Sequence, residues 1–336
     1  MKHCFGLIPC ILSTLLSLPV IAGEGRDPVP FQVRNPNPFI LMHGLPLAAT
    51  ATILDDHASR AGLQFSVANS SIEKVTEGEQ LTLDGETYRM ALIWEQGLGE
   101  GWQWGLELPY LSHRSGGLDA LIQNWHNLFG LSNSDRNDWP ENRLRYLYVD
   151  DGETRVNIED NLSGFGDLQL QLARELPQSE AGRRLSWHAS LKLPTGNDER
   201  LLGSGGADLA LWLSGSQRGL LRDWLMSGYG QIGLLIVEKS DILMDRQRPL
   251  VGFTTLGLSW QTYDWLDLKL QYDGHTPFYH SNVDQLGGSA QMLTLGGSIY
   301  WGKQRLHRVD LSVGENLASD TVPDFIINLG YEVGFP

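Results

Sequence analysis

The sequence has very little cysteine, an excess of acidic over basic residues and, beyond its N-terminus, no long apolar run. Its two cysteines, Cys4 and Cys10, lie within the first ten residues, which excludes a disulfide framework or cysteine-ligated metal elsewhere. The 25 basic residues against 40 acidic ones argue against binding to nucleic-acid phosphates. Without an apolar run of about 18 residues, membrane-spanning helices are excluded as well.

Residues 1–22 have the features of a secretory signal peptide. Lys2 provides a short basic start, residues 5–20 are apolar, and Val20-Ile21-Ala22 matches the cleavage pattern before Gly23. The apolar stretch is too short for an anchor, and no stop-transfer charges follow it. We therefore predict an exported chain without cysteine.

From about residue 60 onward, apolar and polar residues alternate with a period of two. Residues 102–110 and 266–272 are clear examples. Such alternation gives each strand one apolar and one polar face. Soluble β-sandwiches share the period, but their strands are about 5–6 residues long. The runs seen here have about 10 residues, the length of a tilted transmembrane strand.

Twelve segments follow this pattern, and closed bacterial barrels of one chain have an even strand count. Connections after even-numbered segments are short, whereas those after odd-numbered segments, such as 71–79 and 113–163, are longer. This arrangement is typical of periplasmic turns and outer loops. We predict an all-β fold, a closed antiparallel transmembrane β-barrel of about 12 strands with a helix-containing extracellular loop. The predicted strands are 61–70, 80–96, 102–112, 164–176, 184–193, 206–217, 223–237, 249–261, 265–273, 289–301, 305–314 and 325–335.

Tryptophan placement and the last strand support the barrel. Eight of the eleven tryptophans lie beside the short turns, where an amphipathic ring prefers the membrane interface. Residues 325–335 alternate almost to the C-terminus and resemble the terminal-strand signal that outer-membrane proteins present to the barrel-assembly machinery, although Pro336 follows the last aromatic residue. The eight tryptophans are Trp94, Trp102, Trp104, Trp187, Trp224, Trp260, Trp265 and Trp301.

Loop 113–163 contains two further signals. Apolar residues at helical spacing predict a helix over 117–130, which either plugs or constricts the mouth, or forms a partner surface, or else covers the barrel rim. Later in the loop, Asp150-Asp151-Gly152 lies between two alternating segments and predicts a β-hairpin.

Charged residues at inward positions of the strands predict a polar lumen. A lumen lined with both signs of charge suits a water-filled solute pathway, and a salt-bridged, plugged interior is the alternative. Residues 23–58 precede the first strand and form either a partial plug at the periplasmic mouth or a tethered tail. The candidate lumen-lining residues are Arg89, Glu107, Asp167, Lys192, Asp208, Asp267, Lys269, Asp273, Arg308, Asp310 and Glu332.

We predict no catalytic, cofactor-binding or metal-binding residues. His280 and Ser281 superficially resemble the His-x-Ser pattern of outer-membrane phospholipases, but adjacent residues of a strand point to opposite faces. Loop carboxylates are usually solvated, so a divalent-cation site is the less common outcome. The acidic and histidine clusters considered are Asp273, His275, His280 and Asp284, then Asp150, Asp151 and Glu153, and finally Glu159 and Asp160.

Three stretches resemble a proteobacterial family known only as a domain of unknown function. They are PFQVRNPNPF (30–39), LELPYLSHRSGGLDALIQNWHNLFGL (106–131) and LKLPTGNDERLLGSGGADLAL (191–211). The third also resembles porin-like barrels associated with aromatic-compound degradation. The resemblance implies an outer-membrane barrel, but it identifies neither a substrate nor catalytic residues.

Together these features predict a β-barrel in the outer membrane of a Gram-negative bacterium. Its predicted activity is passive or weakly selective passage of small solutes, without enzymatic activity. A non-conducting structural or surface-interaction barrel that displays loop 113–163 is the alternative, and a lipid-modifying barrel enzyme is a remote one. The expected partners are outer-membrane lipid, lipopolysaccharide and the barrel-assembly machinery, with no nucleic acid and no cofactor.

Overall fold

A computed structural model describes residues 25–117, 143–177, 182–221, 224–240, 242–243, 245–317, 321–323 and 325–336. The predicted signal peptide and the predicted helix 117–130, except for Gly117, lie outside these residues. Within them, no helix has the length and apolar character needed to cross a membrane.

Twelve strands form a closed antiparallel barrel, which confirms the predicted fold class and strand number. Each strand pairs with its neighbours, and the last strand pairs with the first to close the wall. The wall strands are β1 (Ser59–Thr76), β2 (Glu79–Gly99), β3 (Trp102–Arg114), β7 (Gln169–Glu175), β8 (Arg183–Lys192), β9 (Asp208–Leu221), β10 (Met226–Val237), β11 (Leu250–Tyr263), β12 (Leu266–His275), β13 (Ala290–Trp301), β14 (His307–Asn316) and β15 (Phe325–Phe335).

The alternation in sequence becomes an alternation across the wall. On β9, Leu211 and Leu213 are about half exposed, whereas Trp212 between them is buried, and so are the polar residues Asp208 and Ser214 on the same face as Trp212. Apolar side chains therefore face outward, as in barrels that contact lipid, and the polar set faces inward. The twelve-strand wall is closed and has no free edge, because its first and last strands are paired.

One end of the barrel, named here the turn end, carries the short connections and an aromatic surface. The turn between β2 and β3 has positive φ at both Glu100 (52°) and Gly101 (74°), the backbone of a tight two-residue hairpin. Close by, the rings of Trp102 and Trp187 pack edge to face with centroids 5.4 Å apart. The opposite end is named the loop end.

Three shorter strands add to the loop end. They are β4 (Arg145–Asp150), β5 (Glu153–Ile158) and β6 (Leu162–Phe165). Residues 79–84 of β2 pair with β4, which pairs with β5, so residues 70–85 with β4 and β5 form a flap, named here the lid. The predicted β4–β5 hairpin is present, with φ of 47° at Asp151 and 82° at Gly152. The predicted outer loop 71–79 is wrong, because β1 and β2 continue outward to a turn at Glu77–Gly78.

Candidate functional site: the plugged lumen

Residues 25–58, named here the plug, enter the barrel at the turn end and run along its inside. The Arg26 guanidinium donates to the carbonyl of Asp264 (2.7 Å) in the β11–β12 turn. Further in, the Phe31 N–H donates to Oε1 of Gln271 (2.8 Å), and Asn35 Nδ2 lies 3.0 Å from His275 Nε2 at the loop end of β12. The first part of the plug therefore follows β12 through the whole barrel.

The plug then turns at the loop end and returns to the turn end. The backbone N–H of Gly44 donates to Asp208 (2.7 Å), that of Ala49 to Gln231 (3.1 Å) and that of Leu54 to Gln103 (3.0 Å). Residues 33–48 are all buried. The sequence left open a partial plug at the periplasmic mouth or a tethered tail. In the structure, residues 33–48 lie buried inside the barrel, whereas residues 55–57, just before the first strand, are exposed.

The turn of the plug explains the first family-like motif, PFQVRNPNPF. Asn35 Oδ1 accepts from the N–H of Asn37 (3.0 Å), and Asn37 Oδ1 accepts from the N–H of Phe39 (3.1 Å). Asn37 thereby caps helix α1 (Pro38–Leu41), whose first residue is a proline that needs no hydrogen-bond acceptor. The amide of Asn37 also donates to the carbonyls of Gln285 and Thr321 in two outer loops.

Side-chain amides of the wall form hydrogen bonds with the backbone of the plug, which is irregular and therefore lacks the backbone partners that a strand has. The Gln271 amide accepts from the N–H of Phe31 and donates to its carbonyl (3.0 Å), as a neighbouring strand would. Gln231 and Gln103 accept backbone N–H groups in the same way. A buried backbone group without a partner is costly, so these inward glutamines make the enclosed path of the plug possible.

Two arginines of the plug form ion pairs with carboxylates of the wall. Arg34 lies 3.1 Å from Glu107 of β3 and donates to Gln169 (3.4 Å), and Glu107 also pairs with Arg89 of β2. Near the turn end, Arg26 lies 3.3 Å from Asp267.

Ten of the eleven candidate lumen-lining residues are buried, and Asp273 is partly buried. Ion pairs on the inner face connect Lys269 with Asp310 (3.3 Å) and Arg308 with Asp310 (3.1 Å) and Glu332 (3.0 Å). Asp273 instead accepts from the neutral Thr255 and Gln271. In the plugged barrel these groups contact one another and the plug, and their role in solute passage stays a prediction.

Lys192 makes the central contacts of the third family-like motif, residues 191–211. Its ammonium group donates to Asp167 (2.5 Å), to Ser204 Oγ (2.5 Å) and to the carbonyl of Gly206 (2.7 Å), and it lies 3.6 Å from Asp208. A Cβ at position 203 would overlap the Asp167 carboxylate, which explains the glycine there. The loop is thereby folded over the loop end of the lumen.

An apolar cluster closes the loop end around the tip of the plug. The Phe39 ring packs edge to face on Tyr148 of the lid, with centroids 6.1 Å apart, and His43 stacks on Phe278 at 4.9 Å. Phe39, Tyr148 and Phe278 are fully buried, and so is Leu201 from the folded loop. Two cavities between plug and wall measure about 30 and 10 Å³, room for about one water molecule each. The conformation described is a closed one.

A buried carboxylate fastens the lid to the outer loops. Glu79 accepts from the Tyr148 hydroxyl (2.7 Å), the Ser281 hydroxyl (2.7 Å) and the Asn282 N–H (2.8 Å). Burial alone would raise the pKa of Glu79, but these hydrogen bonds and the charge of Arg246 outweigh it and lower the pKa below its ordinary value of 4.5.

Two of the residues that suggested an enzyme or a metal site make structural contacts. Ser281 bonds Glu79, and Asp150 forms a two-pronged ion pair with Arg246 at 2.6 and 3.2 Å. In the described ranges, no three His, Cys, Asp or Glu side chains are grouped so as to hold a metal ion.

A further cavity lies at the outer surface of the wall. It measures about 780 Å³ and extends from β8 to β13, and it is lined by outward-facing Leu211, Ile232 and Leu234. Its lining also includes His188 and Trp212, whose side chains are buried.

Sequence reasoning missed Arg26, Arg34 and His43 as site residues. A usable signal was present, because Arg34 is the only Lys, Arg, Asp or Glu within residues 28–54. A tail exposed to water is normally rich in charge. A long, nearly uncharged segment before the first strand therefore indicates burial.

Comparisons place this barrel among known folds. A family model described as "Protein of unknown function (DUF3187)" matches residues 7–335, whereas no curated protein matches the chain. The COG4313 outer membrane channel from Pseudomonas putida F1 is similar, with a TM-score of 0.57 and 13% identity, covering 85% of this chain and 98% of that one. The KdgM porin aligns with a TM-score of 0.43 and 8% identity, covering 82% of this chain and 99% of that one. The first of these similarities shows the barrel fold.

Proposed function

The chain belongs to the family of proteins of unknown function DUF3187, and on this premise we propose that it is an outer-membrane channel for small solutes, gated by its plug. The observation that carries the proposal is that the plug, and not the wall, fills the lumen. An irregular segment occupies it, held by separate hydrogen bonds and ion pairs, and the wall's own side chains do not fill it.

The space that the plug occupies has the width of a pore. Two passes of extended chain lie side by side in the lumen, and each needs about 5 Å in one direction and about 10 Å in the other. Withdrawal of both passes would leave a polar passage of roughly 10 Å, a width suited to small hydrophilic solutes.

The topology allows the plug to leave as a unit. Arg26 and Leu54 both contact the turn end, and the turn of the plug at Asn37 lies at the loop end. A hairpin that enters and leaves through the same mouth can be withdrawn without threading. The hydrogen bonds between the wall strands stay intact during such a movement, because the plug contributes no strand to the sheet.

The location and partners follow from the same barrel and are also proposals. Outward leucines along the wall suit outer-membrane lipid, and the long outer loops suit contact with lipopolysaccharide. The last strand, β15, alternates along its length and would present the terminal signal to the barrel-assembly machinery.

A disulfide lock tests the gate. A Cβ built at Gly44 lies 3.0 Å from the Cβ of Asp208, and a shift of about 0.5–1 Å would bring the two to the separation of about 3.5–4.5 Å that a disulfide spans. The variant Gly44→Cys with Asp208→Cys, which has no other cysteine after the predicted cleavage, is placed in planar bilayers. We expect no conductance when it is oxidised and discrete conductance after reduction, with the single variants insensitive to the reductant.

A non-conducting barrel is the second candidate, and the apolar cluster favours it. Fully buried Phe39, Tyr148 and Phe278 make the loop end resemble a permanent core. This candidate predicts no conductance from the reduced double variant or from a variant that lacks residues 25–55. Either variant is scored only if it shows the gel shift on boiling that marks a folded barrel.

A further inference from the structure

We propose that the lumen, once the plug has withdrawn, conducts cations in preference to anions, and that Glu107 and Asp267 set this preference. The inference rests on the proposed function, because it describes the open state of the same passage. The plug supplies a guanidinium group to each of these two buried carboxylates of the wall.

Glu107 holds the first of these cationic groups. Its Oε2 lies 3.1 Å from the Arg34 guanidinium, and Gln169 on the adjacent strand accepts from the same group at 3.4 Å. Arg89 also pairs with Glu107, so the carboxylate lies between two guanidinium groups. Withdrawal of the plug removes one of them and leaves an acceptor pair, Glu107 and Gln169, facing the lumen.

Asp267 holds the second cationic group beside an aromatic ring. The Arg26 guanidinium lies 3.3 Å from the Asp267 carboxylate and 4.1 Å from the centroid of the Tyr300 ring. A carboxylate next to an aromatic face is a favourable site for ammonium and guanidinium ions. Asp267 is fully buried in the closed state, so the plug arginine occupies a preformed cation site.

The charged side chains of the inner wall, with Glu107 and Asp267 included, are negative in excess. Along the inner face, from Glu95 near the turn end to Asp208 near the loop end, carboxylates outnumber cationic groups. The carboxylates are Glu95, Glu107, Asp167, Asp208, Asp267, Asp273, Asp310 and Glu332, and the cations are Arg60, Arg89, Lys192, Lys269 and Arg308.

One plug contact acts in the opposite direction. Asp27 of the plug lies 3.8 Å from Arg184 and 3.9 Å from Arg218, so withdrawal also uncovers positive charge. These arginines lie at the mouth, where their side chains are 40% and 33% exposed. Solvent and salt screen exposed charges far more than charges in a narrow passage. The buried carboxylates therefore dominate the field that a permeating ion meets.

The test is a reversal-potential measurement on the reduced Gly44→Cys, Asp208→Cys protein across a potassium chloride gradient. The variant Glu107→Gln with Asp267→Asn is compared in the same background, and Glu159→Gln with Asp160→Asn on an exposed loop is the charge-matched control. We expect a cation-to-anion permeability ratio of at least about 3, falling towards 1 in the lumen variant and unchanged in the control.

The outcomes separate the two proposals. Conductance with anion preference, or with a ratio that the lumen variant does not change, overturns the cation inference and leaves the channel standing. Absence of conductance from every folded variant overturns the channel itself and the inference with it. Because Asp208 is replaced in this background, the plug-deletion variant that retains Asp208 is measured as well and is expected to show the same preference.

Discussion

The Arg34 guanidinium lies 3.1 Å from Oε2 of Glu107, and both side chains are buried. The pair joins the middle of the plug to strand β3 of the wall across 73 residues of sequence. Removing one partner of a buried ion pair costs more than the intact pair contributes, since the other charge then stays buried without compensation. This pair therefore fixes the plug in one register inside the lumen.

The first prediction concerns that register. Replacing Arg34 by Gln weakens docking of the plug by about 2–5 kcal/mol, because Glu107 loses one of its two buried cationic partners. We expect the folded variant to open more often in planar bilayers. Arg200→Gln makes the same chemical change on an exposed loop residue and is expected to leave gating unchanged. Equal open probabilities for the two variants would contradict a role of Arg34 in holding the plug.

A second prediction concerns the place where the plug joins the wall. The N–H of Gly97 donates to the carbonyl of Ala58 (2.9 Å), and a Cβ at this position would overlap the Asp55 carbonyl oxygen. We expect Gly97→Ala to destabilise the folded protein by about 1–3 kcal/mol, since the backbone of the plug must move away.

Gly62→Ala is the control for that measurement. Its Cβ would meet ordinary contacts at 3.6 Å and beyond, so we expect little change. The measurement is the urea midpoint of the gel shift between folded and unfolded forms. Equal midpoints for both alanine variants would show that residues 55–58 are not held against the wall.

The wall was predictable from sequence because its pattern is local. Alternation along β9 or β12 identifies a strand and its two faces without knowledge of its neighbours. Most observed strand boundaries lie close to the predicted ones, but the predicted strand 164–176 is divided between β6 and β7. The outward continuation of β1 and β2 was missed, since residues 71–79 include charged residues that resemble a loop. In the structure, that stretch is paired strand, and β2 is paired with β4 as well.

The site was less predictable because its contacts are long-range. Nothing local indicates that Arg34 meets Glu107 or that Gly44 meets Asp208, contacts that span 73 and 164 residues. The motif around Asn35 and Asn37 was recognised as a resemblance, and its role as the turn of the plug became visible only once the loops above it were placed.

A third prediction follows from the lid. The pKa of Glu79 is lowered in the closed lid, so this carboxylate stabilises the lid above its ordinary value of 4.5. That stabilisation is lost as the pH falls through the lower folded-state pKa, because protonation removes the negative charge that strengthens the three hydrogen bonds and turns one of the two accepting oxygens into a hydroxyl group. We expect hydrogen exchange of the β4 and β5 amides, corrected for its intrinsic pH dependence, to accelerate in this acidic range.

The variant Glu79→Gln separates this effect from general acid unfolding. Its lid amides should exchange faster than those of the native protein already at pH 6, and their exchange should depend less on pH. Amides of β11 and β12 in the wall serve as the internal reference. If hydrogen exchange of the lid amides had the same pH profile in both proteins, Glu79 would not be the group that holds the lid to the loops.

The last prediction addresses the outer face of the wall. Leu211 and Leu220 both face outward on β9 and are both 52% exposed, but Leu220 lies next to the turn end. An arginine at the bilayer midplane costs about 2–4 kcal/mol in a barrel, whereas near the interface the cost is about 0–1 kcal/mol. Leu211→Arg should therefore lower the free energy of unfolding from lipid vesicles clearly more than Leu220→Arg. In detergent micelles, which deform around a charge, the difference should shrink. Equal losses for the two variants in vesicles would mean that β9 does not cross the hydrocarbon core with Leu211 near its middle, and the membrane placement of the barrel would have to be revised.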